Sequence, residues 1–140
     1  MTIAIALLAA AGFAIASYFT AVAWRWTPAD ARWIPRVCRM DERTCATVIF
    51  TRDARVFGPP NSLLGQVYYV ALMAGAALGI LGDPWVWRLC VASSLATVGL
   101  GIYLSYALLV VLRVPCPLCF ASHGINASLC CLLLFLPAPD

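Results

Sequence analysis

Two cysteine pairs in this chain are spaced for chemistry. Cys116-Pro117-Leu118-Cys119 is a C-x-x-C motif, and thiols at this spacing can close a disulfide across one helical turn. Pro117 suits the first turn of a helix, where its missing N–H costs nothing. The unpaired N–H groups and the dipole at a helix start stabilise a thiolate, the form that attacks disulfides and electrophiles. A structural disulfide would use the same spacing. So would a four-ligand zinc site completed by Cys38 and Cys45. Redox exchange is favoured over zinc because one pair falls at membrane depth among apolar residues. The second pair, Cys38 and Cys45 in a polar loop, has six intervening residues, with Arg36, Arg39 and Arg43 in or beside it. Cations there favour the thiolate. A static loop staple is the plain alternative. One mobile pair in water and one fixed pair at a membrane edge are what a two-step relay needs. Exchange runs through a mixed disulfide, so the pairs must touch.

Other polar residues stand near these pairs. His123 lies four residues after Cys119, on the same helical face. An ionisable side chain in an apolar run is a functional suspect, although a hydrogen-bonded residue inside a bundle would look the same. Asn61-Ser62 follows Pro59-Pro60. Spacing alone favours a helix N-cap there over an amide that meets a ligand carbonyl. Phe57, Leu64, Tyr68 and Tyr69 are candidates for an aromatic pocket or for ordinary packing. Asn126 reads as an inter-helix hydrogen bonder. Cys90, Cys130 and Cys131 lie inside apolar runs and read as small hydrophobes.

The elements that must position these groups follow from composition. Of 140 residues, 64% are hydrophobic and only 11% charged, against about half apolar and a quarter charged in a soluble domain. A soluble core of this length does not hide so much apolar surface. Four apolar runs, Thr2–Trp24, Leu63–Leu81, Leu89–Leu112 and Cys119–Leu136, each approach the ~20 residues of a spanning helix. The alternating segments of a barrel are absent. The expected fold is therefore an all-α, four-transmembrane-helix bundle in one domain, with spans at about 2–24, 63–81, 89–112 and 117–136. Ala21-Val22-Ala23 resembles a signal cleavage site, but the first run lacks a basic start and is long for a signal, so it reads as a retained helix.

The loop 25–60 carries the first cysteine pair and is expected to contain a short helix. Thr27-Pro28 would start that helix, and Pro35 would stop it after Ile34. An even number of spans puts this loop and the Arg113–Pro117 connection on one membrane face. All nine basic residues are arginine. Their concentration in the loop argues for a cytoplasmic face by the positive-inside rule. The oxidising supply that cysteine pairs need argues for an extracytoplasmic one, and that is the orientation expected, against the charge count. With no nucleic-acid motif beside the basic loop, nucleic acid is not an expected partner.

Taken together, the motifs resemble the vitamin K epoxide reductase family, including its bacterial quinone-coupled members. The resemblance begins at Ser17-Tyr18 and continues through Cys38, Cys45 and Phe57-Gly58. It includes Asn61-Ser62-Leu63-Leu64-Gly65 and Tyr68-Tyr69. It is strongest over Cys116-Pro117-Leu118-Cys119-Phe120-Ala121-Ser122-His123-Gly124-Ile125-Asn126. It implies a four-helix bundle around a quinone, of ubiquinone or menaquinone type, capped by the loop. It implies that Cys119 faces the quinone, Cys116 exchanges with Cys45, and Cys38 meets an outside thioredoxin-like protein. Asn61 falls where the family places an amide on a quinone oxygen. His123 falls where the vitamin K-using members carry a Tyr, which unsettles vitamin K epoxide as substrate. The loop pair is one residue shorter than in the vertebrate enzymes. No thioredoxin-like domain is fused, so the partner is expected to be a separate chain. The resulting expectation is a membrane thiol–disulfide oxidoreductase that needs no metal. Two other classes use the same cysteines: a soft-metal transporter for Hg, Cu or Zn, and a structural membrane subunit stapled by disulfides.

Overall fold

The computed structural model describes residues 1–27, 51–56, 58–113 and 116–135. Cys38, Cys45 and Phe57 lie outside the described residues, as does the short helix expected after Thr27-Pro28. Every described regular element is helical. Four long helices form the body: α1 (Thr2–Ala23), α2 (Asn61–Leu78), α3 (Pro84–Tyr106) and α4 (Pro117–Phe135). A π-helical segment, Ala107–Val111, continues α3, and one-turn 3-10 helices occur at Arg52–Arg55 and Ile80–Gly82.

Among the described residues, three stretches are long and apolar enough to cross a membrane: Thr2–Ala23, Pro84–Val111 and Pro117–Phe135. The 18-residue α2 is not among them. Asn61, Ser62, Gln66, Tyr68 and Tyr69 dilute its apolar content, and their hydrogen bonds explain why. Thr20 Oγ1 donates to Ser62 Oγ at 2.9 Å, and Gln66 Nε2 donates to Ser17 Oγ at 2.9 Å, both linking α2 to α1. Tyr68 and Ser94 share a 2.6 Å hydroxyl pair between α2 and α3. Tyr69 donates to Asn126 Oδ1 at 2.7 Å, joining α2 to α4. These polar groups of α2 thus find their partners inside the bundle.

The boundaries depart from the apolar runs for local reasons. Gly79, at φ +69°, ends α2 before Leu81. The Asp83 carboxylate accepts from the Trp85 and Val86 N–H groups at 2.9 and 3.2 Å, with Pro84 in the first turn. This cap starts α3 five residues before the apolar run does. Asn61 is not the expected side-chain cap of α2. Pro60 holds that position, and Asn61 Oδ1 instead accepts from the Val56 N–H at 3.2 Å. Trp87 Nε1 donates to the Leu133 carbonyl at 3.1 Å, tying the start of α3 to the end of α4.

The main core joins α1, α2 and α4 through Ile5, Ala9, Ala16, Tyr69, Leu72, Leu129 and Leu133. Along α1 as far as Thr20 the buried positions are Ile5, Ala9, Gly12, Ala16 and Thr20, a stripe of mostly small residues. Such a stripe lets two helices approach closely. Gly12 is its tightest point, because a Cβ there would overlap the Tyr69 ring. Gly12→Leu should therefore destabilise the bundle by about 1–3 kcal/mol through overpacking. Gly99→Leu, at an exposed position inside α3 with nothing within 4 Å, should carry no such cost and show only a helix-propensity gain of up to about 1 kcal/mol. Thermal unfolding of both variants in lipid nanodiscs measures the difference.

Candidate active site

One end of the bundle collects the reactive residues. There α1 and α3 finish while α2 and α4 begin. Chain exits at this end are closed by arginines in left-handed conformation, Arg25 at φ 59° and Arg113 at φ 54°. At Arg25 the unusual φ accompanies a helix-terminating motif. The Trp26 N–H reaches back to the Ala21 carbonyl at 2.8 Å, and the Arg25 N–H to Val22 at 3.0 Å. This is the wrap that closes many helix ends.

Cys116 sits immediately before α4, and its carbonyl accepts the first helical bond, from the Phe120 N–H at 3.2 Å. It is fully buried among Val22 and Ala23 at the end of α1 and Leu108 of the π-helical segment. Those α1 residues belong to the segment resembling a cleavage site, and here they form part of the packing around the thiol. Cys119 is the third residue of α4 and is half-buried. The motif thus occupies the N-terminal turn, where backbone N–H groups and the dipole favour a thiolate.

Beneath Cys119 lies a cavity of about 190 Å³. Helix α4 contributes Cys119, Ser122, His123 and Asn126 to its wall, the i, i+3, i+4, i+7 face of a helix. From the opposite side come Asn61, Leu64, Gly65 and Tyr69 of α2. Thr97, Leu100, Gly101 and Leu104 of α3 form a third wall, continued by Ala107, Leu108 and Leu112. Ala16 and Phe19 of α1 complete the enclosure. Apolar walls with a few convergent polar groups are the usual make-up of a site for a small organic ligand.

The expected site residues are distributed as follows. Cys119, Asn61, His123 and Leu64 share the cavity wall. Cys116 stands beside it, on the α1 side. Tyr68, expected at the ligand, is not on this wall. Its hydroxyl pairs with Ser94, while the neighbouring Tyr69 lines the cavity instead. Consecutive helical residues point about 100° apart, so only one of two adjacent tyrosines can face a given space. Cys38, Cys45 and Phe57 lie outside the described residues. Among the described residues no group of three His, Cys, Asp or Glu side chains is placed to hold a metal ion. Cys90, Cys130 and Cys131 are free thiols, and Cys90 packs against the main core. The Asn61 carboxamide is oriented by its bond from Val56. His123 Nε2 is buried without a hydrogen-bond partner among the described residues.

Ser122 and Gly101 line the cavity although the sequence reading does not single them out. The α4 periodicity from Cys119 contains the signal for Ser122. Only the approach of α3 reveals Gly101.

Residues 3–134 match the family model described as Vitamin K epoxide reductase family. The chain is also 31% identical over 110 residues to vitamin K epoxide reductase complex subunit 1 of Rattus norvegicus, covering 69% of this chain and 66% of that relative.

Tyr69 is the residue on which the cavity floor hangs, since its hydroxyl donates to Asn126 and also stands 3.5 Å from Ser122 Oγ. Tyr69→Phe should cost about 1 kcal/mol. In an Asn126→Leu background the same change should cost much less. A double-mutant cycle of unfolding midpoints in nanodiscs reads the coupling.

Proposed function

The chain belongs to the vitamin K epoxide reductase family, and from that premise we propose that it is a quinone-dependent thiol–disulfide oxidoreductase of the membrane. Membership of this family implies a membrane redox function. The observation that carries the finer reading is the meeting of Cys119, Asn61 and His123 on the wall of one mostly apolar cavity, with Cys116 buried beside it. In this reading α2 is a fourth span, held in lipid by the partners its polar side chains find inside the bundle. The chain works as a single membrane unit.

The cavity suits a quinone ring: its walls are largely aliphatic, and polar side chains converge from α2 and α4. A bound quinone supplies the two-electron acceptor. Each turnover converts a partner dithiol to a disulfide and delivers two electrons and two protons to form quinol. A thioredoxin-like partner, a separate chain, attacks the Cys38–Cys45 disulfide at Cys38. Its own second thiol then resolves the mixed disulfide, leaving Cys38 and Cys45 reduced. The Cys45 thiolate attacks the Cys116–Cys119 disulfide at Cys116, which releases Cys119 as a thiolate on the cavity wall. Cys38 then attacks Cys45, restoring the loop disulfide and freeing Cys116. The Cys116–Cys119 pair is reoxidised as the acceptor is reduced. Asn61 donates a hydrogen bond to a quinone oxygen from the Nδ2 end of its carboxamide, the Oδ1 end being held by Val56. Such a donor stabilises negative charge developing on that oxygen. His123 is placed one helical turn below Cys119 to act on the same ring.

The direct test follows quinone absorbance with purified protein and a reduced thioredoxin-like donor. Cys119→Ala and Cys45→Ala should each abolish turnover, and Asn61→Ala should slow it roughly 100-fold, the scale of losing an oxyanion donor. Equal rates in wild type and both cysteine variants would remove the relay. The active face is proposed to be extracytoplasmic. On reduced intact cells, an impermeant maleimide should then label Cys38 before lysis, and labelling only after lysis would reverse that assignment.

A further inference from the structure

Gly101 and His123 make a contact that the mechanism above does not use. A Cβ built on Gly101 would stand 3.1 Å from His123 Nδ1, 3.3 Å from Cγ and 3.6 Å from Cβ. These atoms are the root of the imidazole, not its tip. The backbone and χ1 of α4 set Cβ and Cγ, while Nδ1 also follows rotation of the ring. A Cβ at 101 would therefore require the imidazole to give by a few tenths of an ångström. By contrast, Gly99 and Gly124, on the same two helices, have nothing within 4 Å of a built Cβ. Gly101 is buried in the seam between α3 and α4.

Both residues also border a second space. Val98, Gly101, Ile102, Ser105, His123 and Ala127 line a groove on the same seam, and Ile102 and Ala127 there are exposed. Gly101 and His123 line the inner cavity as well. The imidazole is thus a partition between the inner cavity and the outer groove, seated on bare α3 backbone. A side chain at 101 would press on this partition.

Resting on the quinone reading above, we propose that Gly101 is a positioning residue that seats the His123 imidazole against α3. The pair thereby sets the width of the cavity beside Cys119. A side chain at 101 shifts the ring on its seat and misaligns the space for the quinone head group, without touching the cysteine chemistry.

The experiment is a double-mutant cycle over Gly101→Ala and His123→Ala, with Gly99→Ala as control for the helix-propensity gain shared by both glycine sites. Two readouts are taken in nanodiscs. One is the unfolding midpoint without ligand. The other is the KM and kcat for menadione, with dithiothreitol as electron donor so that no protein partner is needed. The expected result is a lowered midpoint and a KM raised roughly tenfold by Gly101→Ala, with kcat largely kept. Both effects should vanish in the His123→Ala background, and Gly99→Ala should show neither. If Gly101→Ala does not fold, recovery of folding in the double variant supports the seat, and no recovery overturns it. An unchanged KM, or effects of Gly101→Ala that persist undiminished without the imidazole, overturn the proposal. If wild type reduces no menadione, the quinone reading fails and the cavity-width part falls with it. The melting cycle then still supports or overturns the seat alone.

Discussion

The architecture depends on one buried side chain, Tyr69, which is 1% exposed. Its ring fills the space that Gly12 leaves on α1, and its hydroxyl donates to Asn126 on α4. Three helices are thereby tied at a single residue. The ring supplies close packing, the main attraction between helices where the solvent is itself hydrocarbon. The hydroxyl supplies a partner for an amide that would otherwise be stranded in a medium without hydrogen bonds.

The same logic runs along the rest of α2. Its polar side chains reach α1 through Ser17 and Thr20, α3 through Ser94, and α4 through Asn126. Helix α2, outside the three membrane-length stretches, is the polar spine of the bundle. One consequence is chemical. At the α4 side the residues that satisfy the spine also line the cavity, so packing and cavity wall there share side chains. Tyr69, Asn126 and Ser122 have both duties. The position of Cys119 over this polar floor follows from α4 presenting one continuous face, from Cys119 through Asn126, toward α2.

Much of this was legible in the residues alone. Hydrophobic runs located the helices because lipid permits few alternatives for an apolar stretch of that length. The start of α4 was readable because Pro117 fits only the first turn of a helix. Boundaries were less legible where a single residue overrides hydropathy: Asp83 starts α3 early by capping it, and left-handed Gly79 stops α2 short. Asn61 had the residue type of a cap, yet it holds the preceding Val56 instead. That outcome depends on the path of a 3-10 turn, which has no signature in composition.

By itself, the sequence determined that the chain is helical and membrane-bound. It also placed a C-x-x-C pair at a helix start, with a histidine one turn below. Each of these rests on local spacing or on the solvent preference of a segment, and both are properties of residues close in the chain. Only the tertiary structure decided that Tyr69 and not Tyr68 faces the cavity. Only it showed that Cys116 turns toward the end of α1 while Cys119 turns inward. It alone brought bare backbone at Gly101 against the imidazole of His123. These are rotations and approaches of whole helices, set by packing between residues distant in sequence, and no local pattern encodes them.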